Sequence, residues 1–399
     1  MSTVQAKPMD LTAPPVVKTI QMRSLIVGVV ASLLAAFLAF TRPEEFFRAY
    51  LLGFMACIGL TLGSMAVLML RHLTGGGWGM VIRRILGAAM RTLPVSAAFF
   101  VPLIFGMRYL YVWARPIEPT VANKHLLEIS QSYLNPKFFI LRAVIYFAIW
   151  GLIAFLLTKW SREQDHPPVR DNSTRFQALG GPGLILYGFT ISFAAIDWVM
   201  SIDPSWISTI YGLLFLAGQV LSAICFAVVV ERILFRYRPM SELLKPKHVH
   251  DHGNLMLTFV MVWAYFSFSQ WLIIWAGNLP DEISWYLKRL NGGWSHLGLF
   301  LVAFHFAVPF VLLLSRPFKR DVTRLVWLAV WLLFMRYVDL LWLIEPNFSA
   351  RFAVTLADVV VPVAMVGLWL AYFFRNLGSI PLLPAYDVFA KDVLEPSHE

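Results

Sequence analysis

Long apolar runs alternate with short polar breaks along the chain, and ten of the runs reach the length of a membrane-crossing helix. A hydrocarbon core about 30 Å thick takes about 20 apolar residues in helix, so length together with bounding charge, proline or glycine marks each span. The runs cover 22–41, 49–70, 92–113, 138–158, 182–202, 207–230, 253–276, 295–315, 322–344 and 350–374. They predict an all-α polytopic membrane protein with a ten-helix domain over 22–374 and short polar tails at 1–21 and 375–399. The first run is too long for a signal-peptide core and lacks a small-residue cleavage site, so it reads as a mature span.

Composition agrees: 59% of the 399 residues are apolar and 14% charged, which excludes an ordinary water-soluble globule. The formal charge of +10 would point to nucleic acid in a soluble protein, but its distribution removes that reading. Ten spans put both termini on one side. Terminus-side segments hold 22 basic and 12 acidic residues, opposite-side segments 8 of each, and the spans 3 of each. By the positive-inside rule the terminus side is expected to face the cytoplasm, with the lipid bilayer as partner and no nucleic acid.

Six ionisable residues fall inside the spans: Arg108, Arg142, Asp197, Arg336, Asp339 and Asp358, accompanied by His305, Gln219 and Gln270. A charge at a span centre costs at least about 2.5–3.5 kcal/mol, so it persists where it is paired, hydrated or needed. Counting helical rise places Asp197, Arg108, Arg142 and Asp339 about 6–8 Å below the outer boundary, and Arg336 and Asp358 about 12 Å below it. Arg336 and Asp339, three apart, share a helical face and can pair in cis. Asp197 needs a partner from another helix, and Arg108 or Arg142 lies at the matching depth. Internal ion pairs that only lock helices together are the plain alternative to a polar path.

The two acidic spans echo each other. Asp197 is followed by Asp203-Pro204 and Trp206, and Asp339 by Glu345-Pro346 and Phe348, at an offset of 142 residues. Both helices run from the terminus side outward, which predicts a parallel duplication of four-helix units, about 46–204 and 205–346, flanked by spans one and ten. Asp203 and Glu345 also suit helix starts, as acids before a first-turn proline.

Other features have bland readings. Cys57 and Cys225 lie in spans as apolar fillers. There is no Cys-x-x-Cys-His, and only His305 is deep enough for a haem ligand, so no haem, iron–sulfur or metal centre is expected on this chain. His248-Val-His250-Asp-His252 reads as a solvated loop before span seven. Gly75-Gly76-Gly77 lacks the Gly-Lys-Ser/Thr continuation of a phosphate loop and reads as a hinge before an interfacial basic segment, 78–91.

Several longer motifs carry a resemblance. Asp197-Trp-Val-Met-Ser, Pro204-x-Trp206, Ser208-Thr-Ile-Tyr211, Trp263-Ala-Tyr265-Phe-x-Phe-Ser269-Gln270, Ile274-Trp275-x-Gly277-Asn278-Leu-Pro280-x-Glu282, Gly293-Trp294 and Arg336-x-x-Asp339-x-x-Trp342 resemble the F subunit of bacterial alternative complex III. That subunit is an NrfD-like (polysulfide-reductase membrane-subunit-like) protein, often labelled a quinone-binding subunit of a quinol:cytochrome c oxidoreductase. The match is strong over about 180–350. Asp251-His252-Gly253-Asn254-Leu255 resembles a family motif with leucine at the place of His252, which leaves the role of His252 open.

The resemblance implies two four-helix bundles with two flanking helices in a bacterial inner membrane. It implies as partners a paralogous NrfD-like subunit, an iron–sulfur subunit, multihaem and monohaem c-type cytochromes and, in some complexes, a terminal oxidase. A quinone or quinol is the implied ligand, and the chain is expected to be a subunit without catalysis of its own. On this reading Asp197, Arg108, Arg142, Arg336, Asp339 and Asp358 line a quinone pocket or proton path in the outer half of the membrane, with Gln270 beside them and His305 and His296 extending a relay. The rival readings are a scaffold paralogue without quinone binding and a secondary transporter.

Overall fold

A computed structural model describes residues 11–118, 120, 124–165, 171–238 and 240–383. The outermost parts of both expected tails, 1–10 and 384–399, lie outside the described residues. Among the described residues there is no strand, and ten helical segments are long and apolar enough to cross a membrane. The protein is an all-α polytopic membrane protein.

The first unit begins after α1 (Pro15–Thr41) with α2 (Pro43–Thr74), followed by α3 (Gly77–Met90) and α4 (Leu93–Leu110), which share one crossing. The short α5 (Lys124–Ser132) leads to α6 (Pro136–Glu163) and α7 (Ser173–Trp198). The second unit has α8 (Tyr211–Leu234), the short α9 (Met240–Leu243), α10 (Pro246–Gly277) and α11 (Pro280–Leu290). Its next crossing is built from α12 (Trp294–Leu301), a π-helical turn (Val302–Ala307) and α13 (Val308–Leu314). Then come α14 (Arg316–Arg320), α15 (Val322–Ile344) and α16 (Leu356–Gly378).

Helices α2 and α8 pack against each other at the centre, and their residues are buried almost throughout. Around α2 stand α4 and α7, with α6 on α7; around α8 stand α10 and α15, with α13 on α10. Helix α1 pairs with α16, which in turn packs on α2. Leu382 N–H donates to Leu11 C=O at 2.8 Å, so the segments before α1 and after α16 meet on one side. Phe105, Phe155, Phe189, Leu299 and Trp327 are exposed on the rim, as suits helices whose outer faces meet lipid.

Three local expectations need correction. The segment 78–91 does not lie on a surface: α3 buries most of its length against α2, α8, α10 and α16, after a glycine turn with positive φ at Gly75 and Gly76. The histidine stretch is no loop, because Pro246 starts α10 and carries His248, His250 and His252 into helix. The last span begins at Leu356 rather than 350, capped by Thr355. Asp358 therefore sits in the first turn of α16 and not about 12 Å deep.

Candidate functional site

The two acidic helices end alike, each passing from α-helix into a 3₁₀ turn: α7 into Met200–Ile202 and α15 into Glu345–Asn347. A helix end leaves carbonyls without internal partners, and here side chains from opposite-side segments supply them. Tyr111 Oη donates to Trp198 C=O at 2.8 Å and Trp113 Nε1 to Ser201 C=O at 3.0 Å. In the second unit Arg289 donates to the carbonyls of Trp342 and Leu343, at 3.2 and 2.7 Å.

Within the first unit Asp197 is fully buried and pairs with Arg142 of α6 rather than with Arg108. Arg142 Nε and Nη2 donate to the two carboxylate oxygens at 2.8 and 2.9 Å, and Tyr146 Oη adds a third bond at 2.8 Å. Tyr133 braces the arginine from the other side, its ring 3.8 Å from the guanidinium carbon and its C=O accepting at 2.9 Å. Burial raises the Tyr133 hydroxyl to about 12, reinforced by Asp197. With both oxygens engaged, this cluster is a saturated lock. Arg108 stands apart, exposed on α4 and bonded to Tyr109 Oη at 2.7 Å.

The second unit is arranged differently. Arg336 and Asp339 form the expected one-helix pair on α15, both buried. Trp263 Nε1 of α10 donates to Asp339 at 3.3 Å, and its ring lies 4.3 Å from that of His305. His305 is fully buried in the π-helical turn, and neither of its ring nitrogens has a hydrogen-bond partner. A π turn frees backbone groups from the regular ladder, and Trp331 Nε1 of α15 takes up Phe304 C=O at 2.9 Å. Gly218 of α8 makes room for the arginine: a Cβ there would stand 2.3 Å from Arg336 Cζ. One residue on, Gln219 accepts from Tyr187 Oη at 2.9 Å, and its Nε2 has no partner.

The other expected members lie elsewhere. Asp358 accepts from the backbone N–H and hydroxyl of Thr355, at 2.8 and 2.9 Å, which makes it a capping-box residue. Its chemistry is that of a helix start, not of the Arg336–Asp339 cluster. Gln270 accepts from Ser208 Oγ at 3.2 Å near the far end of α10. His296 is exposed in the first turn of α12, nine residues from His305, or about 13 Å of helix, so the two form no direct relay.

Asp203 starts no helix, contrary to expectation, whereas Glu345 opens the 3₁₀ turn Glu345–Asn347 with Pro346 in it. Asp203 receives Lys288 Nζ at 2.5 Å and Ser205 Oγ at 2.7 Å. Burial pushes its carboxyl up, but these partners outweigh that and hold it below the usual carboxylate range. Glu345 is buried in the turn after α15.

Sequence reading passes over Tyr146, Tyr187 and Arg289. Arg289 is buried on α11, its guanidinium carbon 3.4 Å over Trp285, and burial pulls its pKa down to about 9, leaving it cationic at neutral pH. Trp285 stacks on Trp206 at 4.8 Å and meets Trp342 edge-on at 5.3 Å, so α11 lies as a docked lid across the second unit. Its signal is present in the sequence: Pro280 with Asp281 and Glu282 in the first turn, then Lys288 and Arg289 in the last.

His252 gains a role as well. Buried on α10, it pairs through Nδ1 with Glu231 of α8 at 3.0 Å and meets Trp78 C=O through Nε2 at 2.8 Å, tying α3 to the second unit. Among the described residues, no group of three or more His, Cys, Asp or Glu side chains converges to hold a metal ion. Neither a protein-family model nor a curated protein matches this chain.

Proposed function

We propose that this chain is the membrane-embedded, proton-handling subunit of a quinol-oxidising respiratory complex of the kind its sequence resembles. The observation that carries the reading is Asp339, a buried carboxylate held by Arg336 and by Trp263, whose ring in turn lies against a histidine with two unengaged nitrogens. Structural pairs satisfy their polar groups, as Asp197 does; Asp339 takes its bonds from Arg336 and Trp263 on Oδ2, and a buried carboxylate so held is suited to taking and passing a proton.

Quinol oxidation releases two electrons and two protons. Iron–sulfur and c-type haem centres on partner subunits would accept the electrons, and a paralogous NrfD-like chain and, in some complexes, a terminal oxidase would complete the assembly. One proton passes to the Asp339 carboxylate, whose anion Arg336 stabilises before transfer, and the other to water at the outer face; His305, on the other side of Trp263, stands where such a path could continue. In this reading the terminus side faces the cytoplasm of a bacterial inner membrane, which puts Asp339 in the outer half of the bilayer.

Affinity purification of the tagged chain from its native membrane tests the assignment. The expected result is co-purification with c-type haem polypeptides and attachment of a photoreactive quinone analogue to α8, α10 or α15 of this chain. Isolation without haem partners contradicts the respiratory assignment and returns the transporter reading. Label confined to another subunit contradicts quinone contact here and leaves a scaffold.

A further inference from the structure

On the terminus side, away from the Asp339 cluster, a pocket opens between α2, α3 and α6 beside Ile380. Four arginines line it: Arg83, Arg84 and Arg91 from α3 and its end, and Arg162 from α6. Three are anchored in place by neutral or single acidic partners. Arg83 donates to Gln164 Oε1 at 2.7 Å, Arg84 to Ser161 Oγ at 3.0 Å and to Asp165, and Arg91 to Asn376 C=O at 2.6 Å. Asp165 pairs with Arg84, whose Nε is buried without a hydrogen-bond partner. Arginines fixed around one space are suited to phosphate oxygens.

Leu68, Met90 and Leu157 stand in its wall together with His72, Thr158 and Ser161. Its α6 edge continues into the membrane. Arg162 and Thr158 line the pocket, and Phe155 and Gly151 follow on the same helical face at i−7 and i−11 from Arg162. Phe155 is 62% exposed, and Gly151 has open space where a side chain would be. The cationic pocket thus heads an apolar track at bilayer depth, a layout that fits a headgroup with acyl chains below it.

We infer that this pocket binds the phosphate headgroup of an anionic phospholipid, whose acyl chains lie along the Phe155 face of α6. Basic pockets between transmembrane helices hold lipid headgroups by the same charge and geometry. Gly87 allows a clean test, because it lines the pocket and a Cβ there meets nothing within 4 Å. Gly87→Leu fills the space and favours helix, leaving α3 intact.

Native mass spectrometry of the full chain in mild detergent, with dioleoyl phosphatidylglycerol, dioleoyl phosphatidylcholine or inorganic phosphate added, reads the binding. The wild type is expected to retain phosphatidylglycerol saturably and in preference to phosphatidylcholine. Arg162→Gln, at an exposed position, is expected to weaken binding about fivefold, and Gly87→Leu to abolish it without lowering the thermal unfolding midpoint. Undiminished phosphatidylglycerol binding by Gly87→Leu, or equal retention of phosphatidylcholine, overturns the proposal. Saturable binding of inorganic phosphate with the same Arg162 dependence overturns the lipid assignment in favour of a soluble anion.

Discussion

At the residue scale the two buried aspartates differ in what surrounds them. Asp197 receives three side-chain donors from α6, whereas Asp339 receives one arginine from its own helix and one tryptophan. Removing one partner of a buried pair leaves the other charge uncompensated, at a cost of about 3–5 kcal/mol. Arg142 keeps 16% side-chain exposure and so some solvation, which puts Asp197→Asn toward the lower end, about 3 kcal/mol. Its checks are the thermal midpoint and the denaturant resistance of the purified protein, and Arg142→Met together with Asp197→Leu should regain most of the loss. An unchanged midpoint for Asp197→Asn would contradict the lock. Arg336 with Asp339 was legible in the sequence because spacing on one helix determines which residues meet. Between Arg108 and Arg142, depth alone was undecided, since depth does not report which way a helix face turns.

At the element scale, helix association in lipid lacks the hydrophobic drive that operates in water and leans on close packing of small residues. The α1–α16 pair shows this. A Cβ on Gly367 would come within 2.7 Å of Gly28 Cα, and one on Gly28 within 2.7 Å of Leu368 N. Gly367→Leu is expected to pry α1 from α16 without touching either four-helix unit. The measurement is disulfide formation between cysteines placed at Val17 and Gly378, which face each other near the chain ends: efficient when Gly367 is kept, and lost when the Gly367→Leu substitution is added. Spans were legible because length and apolarity alone define them. Sequence reading takes α3 for an interfacial segment and passes over α11. The basic α3 is buried by its neighbours despite its charge, and α11 is an amphipathic helix too short for a span, whose Trp285 and Arg289 acquire meaning only through α15.

For the whole molecule, the arrangement is two sets of helices around a central α2–α8 contact, with saturated and unsaturated polar clusters in corresponding places. The sequence echo at an offset of 142 residues located both aspartates but not their difference, because that difference comes from helices α6 and α10 and from the π turn that presents His305. Asp358 shows the converse: a charge counted as deep becomes a cap once α16 starts six residues later than the apolar run. If the unsaturated cluster handles quinol protons, chemistry should depend on Asp339 while Asp197 affects mainly stability. The most direct measurement is quinol:acceptor turnover of the assembled complex carrying Asp339→Asn, with c-type haem content confirming assembly. A fall of about a hundredfold is the predicted result, the scale of a lost general base; turnover at the wild-type rate in a fully assembled complex would contradict the account.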